Sequence, residues 1–196
     1  MNTPSAAFRH ILEVLSRLEI PYCIVGSVAS SVYGTPRTTM DVDLVADLRA
    51  DQLGLFAAAL NPDFYADLEM MKDAWRRGRA FNVIHLASFY KFDIFPLADD
   101  EYSQEAFSRR RVAKPQSPGG EMVECILASA EDTILNKLRW YRLGGEISEV
   151  QWNDLRGILM VTGERLDREY LYRWAPRLGV ADLLERLLKE IGAGWV

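Results

Sequence analysis

The stretch that decides the fold runs from Gly26 to Leu44 and reads GSVASSVYGTPRTTMDVDL. It follows a short apolar run, YCIV at residues 22–25, which is typical of a strand buried on both faces. The Gly-Ser pair opens a short helix that Gly34 closes, and residues 39–45 form a second strand. A strand, a glycine turn, a helix and an acidic strand in this order predict the centre of an α/β sheet.

Asp41 and Asp43 lie two residues apart, so on a strand both carboxylates point to one face, while Val42 and Leu44 point into apolar packing. Two like charges about 5 Å apart repel by about 3 kcal/mol at an effective dielectric of about 20. Aspartate is also disfavoured mid-strand. A hard cation or a paired arginine would offset both costs, and carboxylate oxygens suit Mg²⁺ or Mn²⁺. The pair indicates metal ligands; the plainer interpretation is a strand-end acid pair in a turn or a salt bridge.

A later β-rich stretch supplies a third acid. Residues 80–86 and 89–95 are separated only by Ala87-Ser88, which predicts a hairpin. Asp93 lies inside the second strand, an unfavourable place for an unpaired charge. If this strand lies beside the first acidic strand, three carboxylates converge, which is the minimum for two divalent ions about 3.5–4 Å apart. Asp93 is also the candidate general base for an attacking hydroxyl, and a nearby arginine is the plainer partner for it.

The Gly26-Ser27 turn is a candidate phosphate site. Glycine lets a ligand approach the backbone closely, and the N-terminus of the following helix presents free N–H groups to negative charge. The phosphate oxygens of a nucleotide fit this position, although Gly-Ser alone is more often only a turn. Arg37, between this turn and the aspartates, could contact phosphate or neutralise an acid.

From residue 127 the pattern becomes helical. Capping boxes at Ser129 and Ser148, followed by two further amphipathic stretches, predict four helices. The sequence therefore predicts an α/β (α+β) fold, with a mixed-sheet core and N-terminal helix over residues 1–126. An all-helical C-terminal region over residues 127–196 is expected to pack on that core.

Composition narrows the class of protein. The 196 residues are 26% charged, and their net charge of −5 argues against wrapping nucleic acid over the whole surface. No run of about 18 uncharged apolar residues is present, so no membrane-spanning helix is expected. Cys23 and Cys125 both lie in apolar runs, which predicts two buried thiols in a reducing compartment and a cytoplasmic protein.

The order of strand, Gly-Ser, helix, Asp41-Val42-Asp43 and a later Asp93 resembles the nucleotidyltransferase superfamily of the DNA polymerase β type. The stretch from Gly26 to Leu44 further resembles the small bacterial branch related to AbiEii-type toxins. In that branch the helical region carries a Glu-Asp…Lys-Leu-Arg stretch and a later Asp. Here residues 131–139 read EDTILNKLR, and Asp154 follows.

The resemblance implies an enzyme that moves a nucleoside monophosphate from a nucleoside triphosphate (NTP) to an acceptor hydroxyl, with Mg²⁺ or Mn²⁺ as cofactor. It implies metal binding by Asp41 and Asp43, and a metal or base role for Asp93. It also implies phosphate contacts from Gly26, Ser27 and Lys137, with Asp154 orienting that lysine or contributing to the site. From the residues alone, Lys137 lies at the border of the buried side of its helix and is equally well a surface lysine.

The acceptor stays open at this point: a tRNA end, a protein hydroxyl, or a small molecule such as an aminoglycoside. The AbiEii-like branch implies a toxin that an antitoxin partner neutralises. A different class of function is a non-catalytic module that binds nucleotide or a partner protein through the same pocket. A third is an interaction domain without a nucleotide site.

Overall fold

The structure is a computed structural model of the chain, and it describes residues 3–39, 41–117 and 119–192. The chain divides into two compact units. The first comprises Met1–Val28 and Thr38–Leu127, and the second comprises Ala29–Arg37 and Ala128–Val196. The second unit is therefore built from two separate chain segments, whereas the predicted division into 1–126 and 127–196 follows chain order and stays a prediction.

A mixed sheet forms the first unit. Its strands are β1 (Tyr22–Ile24), β2 (Asp41–Ala46), β3 (Phe64–Tyr65), β4 (Phe81–His85), β5 (Lys91–Pro96), β6 (Arg111–Ala113) and β7 (Cys125–Leu127). Within the described residues the strand order is β3-β4-β5-β2-β1-β7-β6. β2 pairs with β5 and β1 with β7 in parallel, and the other neighbouring strands are antiparallel. The predicted α/β class with a mixed sheet and flanking helices is confirmed.

The first helix begins at a cap that the sequence provides. The helices up to residue 127 are α1 (Pro4–Arg17), α2 (Gly26–Tyr33), α3 (Gln52–Leu60), α4 (Leu68–Arg76) and α5 (Glu101–Ser108). The Thr3 hydroxyl accepts a hydrogen bond from the Ala6 N–H, and proline at the first helical position has a fixed φ that suits the helix. α1 then buries Phe8 and Ile11 in the core of the first unit. α2 starts in the first unit, and its residues from Ala29 onward belong to the second.

Strict alternation along β2 and β5 sorts their side chains between two faces. Val42, Leu44 and Phe92 are fully buried, and Ile94 is 1% exposed. Burial of each such side chain stabilises the fold by about 1.5–3 kcal/mol. The acidic neighbours on the opposite face are only partly buried. The apolar face thus fixes which way the acids point, because a slip of one residue would expose the whole apolar set.

The second unit contains the four helices that the sequence predicts after residue 127. They are α6 (Ala130–Leu143), α7 (Glu149–Thr162), α8 (Arg168–Arg177) and α9 (Ala181–Ile191), with a 3-10 turn at Gly163–Arg165. Both predicted serine caps are present: Ser129 accepts from the Asp132 N–H at 3.1 Å and Ser148 from the Gln151 N–H at 3.4 Å. None of the helices in the described ranges has the length and apolarity needed to cross a bilayer.

Strand boundaries differ from the sequence prediction by a few residues. The strand predicted at 39–45 runs from Asp41 to Ala46, and the Thr39 hydroxyl just before it donates to the Asp41 carboxylate. Met40 lies outside the described residues. The predicted hairpin forms from β4 and β5, with Phe89 in the connecting turn at a φ of 56° instead of in the strand.

Candidate active site

The two acids of β2 share one face of the sheet. Asp41 and Asp43 alternate with the buried Val42 and Leu44, and both acids are partly buried. The two carboxylates therefore lie side by side on a face that solvent reaches, as their spacing in the sequence predicts.

The third acid is brought to the same face by strand pairing. β5 lies directly beside β2, and the parallel register sets Asp93 opposite Asp43. Neighbouring strands are about 4.8 Å apart, so the backbones of these two acids are as close as a sheet allows. The sequence predicted this convergence only on the condition that the two strands are neighbours, and the structure supplies that condition.

Two donors hold the carboxylate of Asp93. Lys91 Nζ lies 2.7 Å from Asp93 Oδ2, and the side-chain amide of Asn82 donates to Asp93 Oδ1. Asn82 reaches the acid from β4, where it is in register with Asp93. The hydrogen bond to Asp93 raises the pKa of Lys91 most, partial burial acts against it, and the charges of Asp93, Asp41 and Asp43 add to the rise. Lys91 thus lies in the field of all three acids.

A tyrosine and a threonine position Asp41. The Thr39 hydroxyl donates to Asp41 Oδ1 at 2.8 Å, and the Tyr90 hydroxyl donates to the Thr39 carbonyl oxygen at 2.8 Å. Burial raises the pKa of Tyr90, and the negative charges of Asp41 and Asp43 raise it further. The phenol therefore keeps its proton and remains a donor. Neither residue was singled out from the sequence, since their roles depend on the start of β5 lying beside the start of β2.

Gly26 brings the chain against the second aspartate. Its φ is 63°, a left-handed conformation that favours glycine. A Cβ at this position would overlap the carboxylate of Asp43, so only glycine leaves room for that carboxylate. The adjacent Val25 N–H also donates to the Asp43 carbonyl oxygen at 2.9 Å. Ser27 follows as the second residue of α2.

The donor set fits a divalent cation that also binds substrate. Among residues 3–39, 41–117 and 119–192, no three His, Cys, Asp or Glu side chains are grouped to hold a metal by themselves. Asp93 shares the face of the other two acids, but Lys91 and Asn82 engage its carboxylate, so the three acids do not form the predicted ligand set as they stand. Mg²⁺ is commonly held by one or two carboxylates together with substrate phosphates. Asp41 and Asp43 match that requirement.

A second cluster of charged residues lies in the second unit. Asp154 on α7 is ion-paired with Lys137 Nζ of α6 at 2.8 Å and with the Arg37 guanidinium at 3.1 Å. The side chains of Lys137 and Asp154 are only 9% and 8% exposed, whereas that of Arg37 is 34% exposed. Lys137 is therefore a buried residue and not a surface lysine, and Arg37 neutralises an acid, which was one of its two predicted roles.

The loop that carries Arg37 is fixed against α7. A Cβ on Gly34 would overlap the α7 backbone at Gly157 and Ile158, so glycine permits this close approach. The Tyr33 hydroxyl donates to the Ala128 carbonyl oxygen at 2.7 Å. These contacts explain why residues 29–37 are part of the second unit. Within each unit the predicted residues are thus grouped, Gly26, Ser27 and the three acids in one and Arg37, Lys137 and Asp154 in the other; their roles in binding nucleotide stay predictions.

Comparison with known proteins addresses the fold. No family model and no curated protein matches the sequence. The solution structure of the antibiotic-resistance factor ANT(2'')-Ia is 19% identical with a TM-score of 0.51, and the match covers 95% of this chain and 98% of that one. The crystal structure of ANT(2'')-Ia in complex with adenylyl-2''-tobramycin is 17% identical with a TM-score of 0.53, covering 88% and 95%. The chain has the nucleotidyltransferase fold.

In this nucleotidyltransferase fold the acids do not lie where ligands usually bind in an open α/β sheet, beyond the carboxyl ends of the strands. A cavity of about 580 Å³ does occupy that end of β2 and β5, lined in part by Asp47, Arg49, Trp75 and Asp99. Asp41 and Lys91 instead begin their strands. The three acids and this cavity are therefore separate features of the first unit.

Proposed function

We propose that this protein is a divalent-metal-dependent nucleotidyltransferase, which transfers a nucleoside monophosphate from an NTP to an acceptor hydroxyl. The observation that carries the proposal is the row of Asp41, Asp43 and Asp93 on one partly exposed face of two adjacent parallel strands. Its placement on a nucleotidyltransferase fold supports the same activity.

In the proposed reaction, Asp41 and Asp43 hold Mg²⁺ or Mn²⁺, and the cation neutralises phosphate charge and aligns the triphosphate. Thr39 fixes one oxygen of Asp41 by its hydrogen bond, and Gly26 leaves space for the Asp43 carboxylate. The two aspartates are therefore held in place before substrate arrives, which reduces the reorganisation that the reaction requires.

Asp93 serves as the general base. An acceptor oxygen forms a bond to the α-phosphorus, the bond from that phosphorus to the bridging oxygen of pyrophosphate breaks, and Asp93 receives the hydroxyl proton. Pyrophosphate leaves with the electron pair of the broken bond. Asn82 keeps the Asp93 carboxylate oriented from the neighbouring strand.

Contacts to the triphosphate complete the proposal. Gly26 and Ser27, at the start of α2, present backbone N–H groups to phosphate oxygens. Lys137 stays a nucleotide-binding candidate on the sequence resemblance alone, and Asp154 holds its ammonium group. Arg37 shares the same aspartate, so its role toward phosphate is secondary to that ion pair.

A small molecule is the acceptor we place first, because the crystal structure of ANT(2'')-Ia contains adenylyl-2''-tobramycin. An RNA or tRNA end and a protein hydroxyl are the other two acceptors in the proposal. A toxin function and an antitoxin partner rest on the AbiEii-like sequence resemblance alone.

The test is a transfer assay with each of the four α-labelled NTPs and Mg²⁺. Three acceptor pools are offered separately: aminoglycosides, total RNA and cell protein. We expect label in one pool, release of pyrophosphate, and loss of both in Asp41→Asn and Asp43→Asn. Asp51→Asn is the matched control, because the Asp51 side chain is 73% exposed and lies in a surface ion pair with Arg49. Undiminished transfer by Asp41→Asn would contradict the proposal.

The Lys91–Asp93 contact favours one alternative, a module that binds nucleotide without transferring it. Lys91 Nζ already occupies Asp93 Oδ2 at 2.7 Å, so this oxygen is not available to take the proton of an acceptor hydroxyl. Such a module would bind Mg²⁺ and NTP, as shown by calorimetry, yet release no pyrophosphate with any acceptor pool.

A further inference from the structure

Lys91 is well exposed to solvent, although it is ion-paired with the mostly buried carboxylate of Asp93. It lies two residues before Asp93 on the same face of β5, and the sheet register sets it opposite Asp41. Its Nζ is 2.7 Å from Asp93 Oδ2, yet its side chain is 41% exposed while that of Asp93 is 14% exposed. One end of the pair is therefore fixed in the sheet, and the other is a flexible stem that solvent reaches.

The charges on the acidic face of β2 and β5 indicate a role for Lys91. Three carboxylates in adjacent register positions repel one another, and one ammonium group offsets only part of that charge. A divalent cation offsets more of it from a single position. Two cations of the same sign beside the same acids repel each other in turn, so lysine and metal compete for the row.

We propose that Lys91 is the resident counter-cation of the acidic row: it holds Asp93 while no divalent metal is bound, and it releases Asp93 when the metal arrives. This inference rests on the proposed function, since it requires a metal at Asp41 and Asp43. Asn82 stays bonded to Asp93 throughout and preserves its orientation. The released ammonium turns toward solvent or toward phosphate oxygens, and Asp93 becomes available as a base only in the metal-loaded protein.

Binding of Mn²⁺ without nucleotide tests the competition directly. Free Mn²⁺ is measured by electron paramagnetic resonance in titrations of the wild type, Lys91→Met, Lys91→Gln and Lys91→Arg. We expect the two neutral variants to bind Mn²⁺ about tenfold more tightly, because a repelling charge is gone, and the arginine variant to resemble the wild type. Lys72→Met is the matched control: Lys72 is 42% exposed and ion-paired with Glu69 at 2.9 Å, on α4. It should leave the affinity unchanged.

Thermal unfolding in a chelator gives a second measurement. Without metal, Lys91→Met should melt a few degrees below the wild type, because the three acids then lack the ammonium group that offsets part of their charge. Added Mn²⁺ should raise the midpoint of Lys91→Met more than that of the wild type. A lysine with a merely structural role would lower the midpoint but would not tighten Mn²⁺ binding.

The outcomes separate this inference from the proposed function. Equal or weaker Mn²⁺ affinity in both Lys91→Met and Lys91→Gln would overturn the counter-cation role. If Asp41→Asn still abolished Mn²⁺ binding in that case, the proposed metal site would stand. Absence of Mn²⁺ binding by the wild type, with and without a non-hydrolysable NTP analogue, would overturn both.

Discussion

Gly26 determines how near the backbone comes to the carboxylate of Asp43. We expect Gly26→Ala to lower the transfer rate by about 100-fold, since a misplaced catalytic group costs about that much, and to lower stability by about 1–2 kcal/mol through the positive φ. Transfer kinetics and urea unfolding measure the two effects. Gly78→Ala is the matched control, because Gly78 has a φ of 60° but nothing within 4 Å of the added Cβ. Equal loss of activity in both variants would show that the Asp43 contact does not matter.

Cys125 makes stability depend on alkaline pH. Burial, with a smaller contribution from the Glu124 charge, raises the pKa of its thiol from 9.0 to about 12. The folded protein therefore retains a proton that the unfolded chain releases, so this contribution is complete below pH 9 and is lost as the pH rises toward 12. Urea unfolding between pH 7 and about pH 11 should show a falling free energy of unfolding. Cys125→Ala should flatten the fall, and an unchanged slope would contradict this assignment.

At the scale of the elements, α6 and α7 are joined by the ion pair of Lys137 with Asp154. Removing one partner of a buried pair leaves the other charge uncompensated, so Asp154→Ala should lower the free energy of unfolding by about 3–5 kcal/mol. Urea unfolding measures the change. Asp182→Ala, which breaks the exposed pair with Arg142, should have a much smaller effect. A similar cost for both variants would mean that burial of Lys137 adds nothing.

The elements that sequence predicts best are those with strong local signals. The β-rich runs on either side of Ala87-Ser88 predicted the β4–β5 hairpin, and the serine caps located α6 and α7. β3 was not predicted, because a strand of two residues, Phe64–Tyr65, is too short to show an alternating pattern. β7 likewise spans only three residues, Cys125–Leu127, and propensity alone does not tell which residues find a partner strand.

The candidate site was likewise predictable only in part. Spacing and residue type singled out the three acids, but register decided their neighbours. Lys91, Asn82 and Tyr90 became part of the site only because β5 lies between β2 and β4. Strand order is a long-range property that no short stretch of sequence encodes. The ion pairs of Asp154 with Lys137 and Arg37 are likewise long-range contacts within the second unit.

For the whole molecule, ligand binding should appear as added stability. A ligand at about 100 times its dissociation constant stabilises the folded state by about 2.7 kcal/mol, or about 5–11 °C in midpoint for a chain of this length. We expect Mg²⁺ with the preferred NTP to give such a shift in differential scanning fluorimetry, and each alone to give less. The net charge of −5 repels a free triphosphate, which adds to the dependence on the cation. A full shift with NTP in the presence of chelator would contradict metal dependence.

Because residues 29–37 belong to the second unit, cutting the chain after Leu127 would divide that unit. A polypeptide starting at Ala128 would lack the tyrosine hydroxyl that bonds its first carbonyl group and the loop that packs on α7 at Ile158. Severing the backbone after Leu127 would therefore separate a helical fragment from part of its own interior. We expect a synthetic peptide of residues 29–37, supplied in trans, to stabilise such a fragment, because it restores these contacts.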